Sequence, residues 1–228
     1  TATQGGPPAN GGDAVNPDVN TAPEVVAPQD RTLPVRTPFT LTATGSDADG
    51  DAVTYLWEQN DVGGPDGTAL ISNAKTNGPL FRVFGRAASV SLEDSLESPS
   101  PGQNIADGTP TRVFPDMVQV LRGNTNAETG ACPTPGEGGA VTAGIRECFA
   151  EFLPTRTYLG AGDATSPERA MNFRVTARDG FVDGGGTAFD DVRLNLDRTA
   201  GPFLVTSQEE GSTVRSGGGR EVTWAVNG

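Results

Sequence analysis

The residues best suited to chemistry are the run Asp47-Ala48-Asp49-Gly50-Asp51, where carboxylates alternate around a glycine turn. Side chains so spaced can converge their oxygens on one hard cation, with calcium the natural occupant, because such ions bind through carboxylate and carbonyl oxygens. Glu58 lies where an EF-hand loop would place its bidentate ligand, but Ala52 stands where that loop needs its sixth-position glycine. The flanks read as strands, so Glu58 would lie about 20 Å away along a chain rising about 3.3 Å per residue, and it is discarded as a ligand. The same string also makes an ordinary Asx-turn whose carboxylates accept backbone N–H bonds. Both readings stay open at the level of sequence.

Other constellations carry less. Adjacent carboxylates at Asp190-Asp191 and Glu209-Glu210 suggest a glycosidase pair, yet neighbours on a strand point to opposite faces and cannot flank one glycosidic bond. Ser72-Asn73-Ala74-Lys75 matches an S-x-x-K string, but it lies in a polar loop without the helix and partner motifs that make such a serine reactive. The triple glycines at 184–186 and 217–219 lack the Lys-Ser/Thr of a phosphate cradle and read as hairpin connectors. No catalytic residue is assigned, and the chain is expected not to be an enzyme in its own right.

Composition narrows the field further. The chain contains no histidine, so it cannot by itself supply a Ser-His-Asp triad, a Cys-His pair or a His-ligated zinc site. A formal net charge of -13 argues against nucleic acid, since each phosphate contact needs a Lys or Arg. No run of about 18 apolar residues marks a membrane span. The 31 Gly and 18 Pro residues, about a fifth of 228, indicate many turns and short elements.

Cys132 and Cys148 sit in a Gly/Pro-rich stretch without the CxxC spacing of a metal cage. An intrachain disulfide is the natural reading in an oxidising compartment and would stabilise the fold by about 3 kcal/mol on the chain-entropy model; two reduced structural thiols are the alternative. With no signal peptide at its start, the chain is expected to be a mature extracellular piece of a longer protein.

The elements that must position these residues are strands. Residues 1–22 lack apolar periodicity and read as a flexible linker. From Pro23 onward EVVAP, RTLPV and PFTLTATGSD carry strand signals, with Phe39, Leu41 and Ala43 alternating against threonines. In AVTYLWEQ, Val53, Tyr55 and Trp57 share one face. Residues 60–170 are less regular, though PLFRVF and TRVFPDMVQVLRG hold apolar clusters and Met117 to Leu121 suit one short helix. AMNFRVTARD and AFDDVRLNLD, joined by a Gly-rich turn, predict a hairpin. GPFLVTS and REVTWAV predict two more strands in 200–228, the start of a second β-module. The expected architecture is an all-β sandwich over 23–199 with a loop-rich insertion at about 60–170. Its core should hold Phe39, Tyr55, Trp57, Phe173 and Val175.

The run TAPEVVAPQDRTLPVRTPFTLTATGSDADGDAVTYLWEQND resembles the PKD-like, immunoglobulin-like modules of bacterial secreted proteins. It looks most like the module that follows the catalytic domain in reprolysin-like zinc metallopeptidases of Gram-negative bacteria. GPLFRVF, TRVFPDM, MNFRVTARDG, GPFLVTS and REVTWAV resemble later parts of the same module, whereas 123–169 is longer than that pattern. The resemblance implies a secreted or cell-surface, non-catalytic accessory module beside an upstream domain of the same polypeptide, contacting a protein or polysaccharide surface. A cation site of that kind would recruit an acid from a neighbouring strand end: Asp179 first, with Asp183 and the Asp190-Asp191 pair behind it. The rival expectation is a structural subunit of an adhesin or filament that self-associates by β-strand pairing.

Overall fold

The computed structural model describes residues 20–62, 75–81, 106–115, 117–121, 125, 151–158, 170–181, 184–207, 213, 217 and 219–228. Cys132, Cys148, Asp183, Glu209-Glu210 and nearly all of the expected linker lie outside the described residues. In chain order come β1 (Glu24–Val26), β2 (Arg31–Pro34), β3 (Phe39–Thr42), β4 (Thr44–Ser46), β5 (Val53–Gln59), β6 (Thr111–Phe114), α1 (Met117–Leu121), β7 (Ala170–Asp179), β8 (Thr187–Asp197), β9 (Leu204–Val205) and β10 (Trp224–Ala225). The described chain is thus mostly strand with a single short helix, an all-β fold.

The main sheet has the order β2-β8-β7-β5. The hairpin β7-β8 forms where the alternating runs and the Gly-rich turn place it, with Phe173 opposite Val192 and Val175 opposite Asp190. β5 joins antiparallel to β7, which sets Val53 opposite Asp179 and Trp57 opposite Val175. β2 closes the other edge in parallel to β8. The run from Phe39 to Ser46, a single strand by its periodicity, serves two ladders. Phe39 to Thr42 pair with β6, and Thr44 to Ser46 pair with β1. The change falls at Ala43, whose N–H leaves both ladders and donates to the Pro110 carbonyl at 3.1 Å.

One apolar cluster lies under these ladders, and it includes all five expected core residues, Phe39, Tyr55, Trp57, Phe173 and Val175. Phe39 and Phe114 stack at 5.0 Å between centroids, and Phe173 meets both edge-on at 5.7 and 4.9 Å. Such pairs contribute about 0.5–1.5 kcal/mol each beyond the area they bury. Trp57 buries its indole and donates Nε1–H to the Pro110 carbonyl at 2.9 Å, so a polar atom inside the core is satisfied. Gly45 is required where β4 passes β5, since a Cβ there would stand 2.7 Å from the Tyr55 hydroxyl.

The segment 60–170 does more than decorate the sheets. Leu80, Phe81, Phe114, Phe152, Leu153 and Tyr158 all belong to the same buried cluster. Gln59, at the end of β5, ties these irregular pieces to the sheet. Its Oε1 accepts the N–H groups of Leu80 and Phe81 at 2.6 and 3.1 Å, and its Nε2 donates to Asp61 and to the Tyr158 hydroxyl at 2.6 and 2.9 Å. Tyr158 in turn donates to the Gly78 carbonyl at 2.7 Å. Every hydrogen-bonding capacity of the buried Gln59 amide is used. Arg112 is also buried and pairs with Glu151 while donating to the Trp57 carbonyl at 3.0 Å.

β9 and β10 pair with each other and form a separate two-stranded ribbon. It is tied to the body where the Phe203 N–H donates to Thr37 Oγ1 at 3.1 Å.

Candidate metal centre

The turn between β4 and β5 gathers its carboxylates. Asp47, Asp49 and Asp51 each offer an oxygen within 4.8 Å of the others. The local fold follows from the sequence: Asp47 Oδ1 accepts the N–H groups of Asp49 and Asp51 at 2.9 and 3.1 Å, which wraps the chain around one carboxylate. Gly50 supplies the φ of +86° that closes the turn. The Asx-turn reading and the cation reading are therefore compatible, because one oxygen of Asp47 builds the turn and the other is left over. That second oxygen, Oδ2, is buried and has no hydrogen-bond partner among the described residues.

The β5-β7 register brings Asp179 to the same end of the sheet, yet it stands beside the triad rather than in it. Its carboxylate accepts the Gly186 N–H at 2.8 and 2.9 Å and the Asn20 side-chain amide at 2.9 Å. It thus clamps the β7-β8 connector onto the entering chain. Gly186 is needed at that clamp, since a Cβ would lie 2.5 Å from Ala22 Cα. The remaining acids named from sequence have other work. Asp190 accepts the Ala27 N–H at 2.8 Å, and Asp191 binds Arg174 through both oxygens at 2.8 and 2.9 Å.

Electrostatics mark Asp51. Partial burial, together with the charges of Asp47, Asp179 and Asp49, holds its carboxyl above the usual carboxylate range. A divalent cation among these groups would relieve that repulsion. Sequence reasoning missed Asn20 and Thr21, which it assigned to the linker. The Thr21 N–H donates to Asp49 Oδ2 at 2.6 Å, and Asn20 binds Asp179 and leaves its own Oδ1 buried without a partner among the described residues. No local pattern signals this role, because the bonds join residues 28 and 159 positions apart.

Comparison with protein families, with curated proteins and with solved structures finds no match to this chain.

Proposed function

We propose that this chain is a non-catalytic accessory module of a secreted bacterial protein, an immunoglobulin- or PKD-like β-sandwich that attaches a neighbouring domain to a protein or polysaccharide surface. In this reading the neighbour is a metallopeptidase domain, structural calcium rigidifies the β4-β5 turn, and Cys132 and Cys148 form a disulfide in an oxidising compartment. The observation that carries it is the Asp47, Asp49, Asp51 cluster with a buried, unpartnered oxygen on Asp47, set in a chain that contains no imidazole. A cation held there would lock β4, β5 and, through Asp49 and Thr21, the chain entering β1. Ligation by the native state alone raises stability by mass action. Calcium should therefore raise the melting temperature of the wild-type chain, chelator should reverse the gain, and Asp47→Ala should abolish it. Melting curves that ignore both calcium and chelator would remove the cation from this reading.

The second reading, a structural subunit assembling by strand pairing, is favoured by the ribbon. Leu204, Val205 and Trp224 are about half exposed there, and a two-stranded ribbon has open edges that a second copy can extend. Light scattering over a range of protein concentration separates the two, a monomer supporting the module and growing polymers supporting the subunit.

A further inference from the structure

The ladder of the ribbon fixes which backbone groups of β10 look outward. Thr206 donates its N–H to the Thr223 carbonyl at 2.8 Å, and Gly201 donates to the Asn227 carbonyl at 2.9 Å, so the odd-numbered residues around β10 bond to β9. In an antiparallel ladder the residues between them turn their N–H and C=O groups the other way. Here those are Val222, Trp224 and Val226, and no further bond to them is found among the described residues. β9 is different, since the outward N–H of Phe203 is turned to the body and donates to Thr37. Sheet edges are normally blunted by charge, by proline or by a covering segment. The main sheet uses all three: β2 carries Arg31 and Pro34, and on the outer side of β5 the Tyr55 N–H donates to the Asp107 carbonyl at 2.7 Å. β10 has no such protection among the described residues, and neither 201–207 nor 222–228 contains a charged side chain, in a chain of net charge -13.

The sequence of that open edge reads nearly the same in both directions. Val222-Thr223-Trp224-Ala225-Val226 is centred on Trp224, with a valine at either end and a small residue on each side of the indole. Turned antiparallel onto a second copy about Trp224, the strand sets Trp224 against Trp224 and Val222 against Val226. These are the outward-facing positions, so each pair exchanges both N–H···O bonds. The exposed Trp224, Val222 and Val226 of the two copies then stand side by side on one face, the kind of cross-strand pair that stabilises a sheet. Centred on Thr223 instead, the same strand would set Val226 against Arg220. Charge also favours the Trp224 centre: Glu221 meets Asn227 of the second copy rather than another acid. Over the rest of so acidic a chain, like charge opposes the approach of a copy.

We propose that β10 is the contact of a symmetric dimer, paired antiparallel with β10 of a second copy in a register centred on Trp224. The inference rests on the strand pairing of the subunit reading and limits it: one edge that pairs with itself closes the assembly at two copies. The contact is small beside the roughly 1,000 Å² of a stable interface, so the dimer should be half formed at about 100 μM. Sedimentation equilibrium of the full chain from about 5 μM to about 1 mM brackets that affinity. The mass should rise to twice that of one chain and stop. Trp224→Lys should weaken pairing at least about tenfold, whereas Val62→Lys, at an exposed valine outside the ribbon, should leave it unchanged. Val222→Lys and Val226→Glu should each weaken it, and the double variant, which faces each lysine with a glutamate of the other copy, should recover most of the loss. A monomer throughout overturns the dimer and the subunit reading together and leaves the edge to a different polypeptide. Mass that keeps climbing past two copies overturns the closed dimer and keeps the subunit reading. A dimer that survives Trp224→Lys overturns the β10 contact, and a double variant no tighter than the singles overturns the register.

Discussion

β5 and the β9-β10 ribbon carry the same kind of pattern and meet opposite fates. In β5, Tyr55 and Trp57 alternate with Leu56 and Glu58, and both aromatics are at most 8 % exposed. In the ribbon, Trp224 pairs with Val205, and the alternation puts Phe203, Val222 and Val226 on the same face as that pair. All five are 41 to 59 % exposed. Alternation therefore specifies a strand with an apolar face, while burial of that face depends on what the fold lays over it. β5 is covered because β3, β6 and the 80–81 and 152–158 segments meet above it. The ribbon is held by its own ladder, the Thr37 contact and the Asn227 side chain bonded to the Pro202 carbonyl at 2.7 Å.

The largest expected effect tests that difference directly. Trp57→Ala should cost about 3–5 kcal/mol through lost burial and a residual cavity, and it also leaves the Pro110 carbonyl without its indole donor. Trp224→Ala should stay within about 0.5 kcal/mol, as exposed substitutions do. Urea unfolding of both variants measures the contrast, and equal losses would show that the ribbon's face is covered in solution. In that event light scattering on the Trp224 variant identifies whether a second copy provides the cover.

A smaller loss should follow Asp61→Asn. Asp61 accepts the Gln59 amide at 2.6 Å and the Asn172 amide at 2.7 Å. An asparagine there must turn an NH₂ toward one of two donors, stranding a buried group at about 1–3 kcal/mol. The comparison sharpens here, because the body of the fold depends on buried polar matching and no equivalent network is present among the described residues of the ribbon. Unfolding of this variant at the wild-type midpoint would contradict that dependence on buried polar matching.

The smallest effect is in pH. Burial lifts the Asp61 carboxyl above its ordinary value, an effect only partly offset by the bonds from Gln59 and Asn172, and Asp51 is lifted as described above. A group with a raised folded pKa binds its proton more tightly in the native state, so its contribution is largest below about 3.8 and falls as pH rises through the folded value. Asp197, lowered by its bonds from Thr199, acts in the opposite sense at the acid end, and its stabilisation is lost as pH falls through its folded value. As pH falls from 7 towards about 3.8, the melting temperature of Asp51→Asn should gain less from acidification than that of the wild type. An identical profile for the two would show that the three neighbouring carboxylates do not repel Asp51.

Much of this was legible in the chain itself. Apart from β6, whose residues read only as an apolar cluster, the strands, the Met117 to Leu121 helix, the β7-β8 hairpin and the five core residues follow from local periodicity and turn chemistry. Asp47, Asp49 and Asp51 were legible as a cluster because two-residue spacing around Gly50 brings them together without help from elsewhere. The clamp of Asp179 on Gly186 and Asn20 was not, nor the hub at Gln59, nor the core role of Phe81 and Phe152. Each of these joins segments distant in sequence, and local patterning does not encode a partner or a register.

By itself the sequence determined an acidic, histidine-free chain of short alternating strands, because composition and side-chain period are local properties. Tertiary structure decided that one run divides at Ala43 between two ladders and that β2 pairs in parallel with β8. It also decided that one apolar face is buried and another left open. The physical reason is the same throughout: burial and hydrogen-bond pairing are properties of two surfaces, and the sequence of one strand describes only one of them.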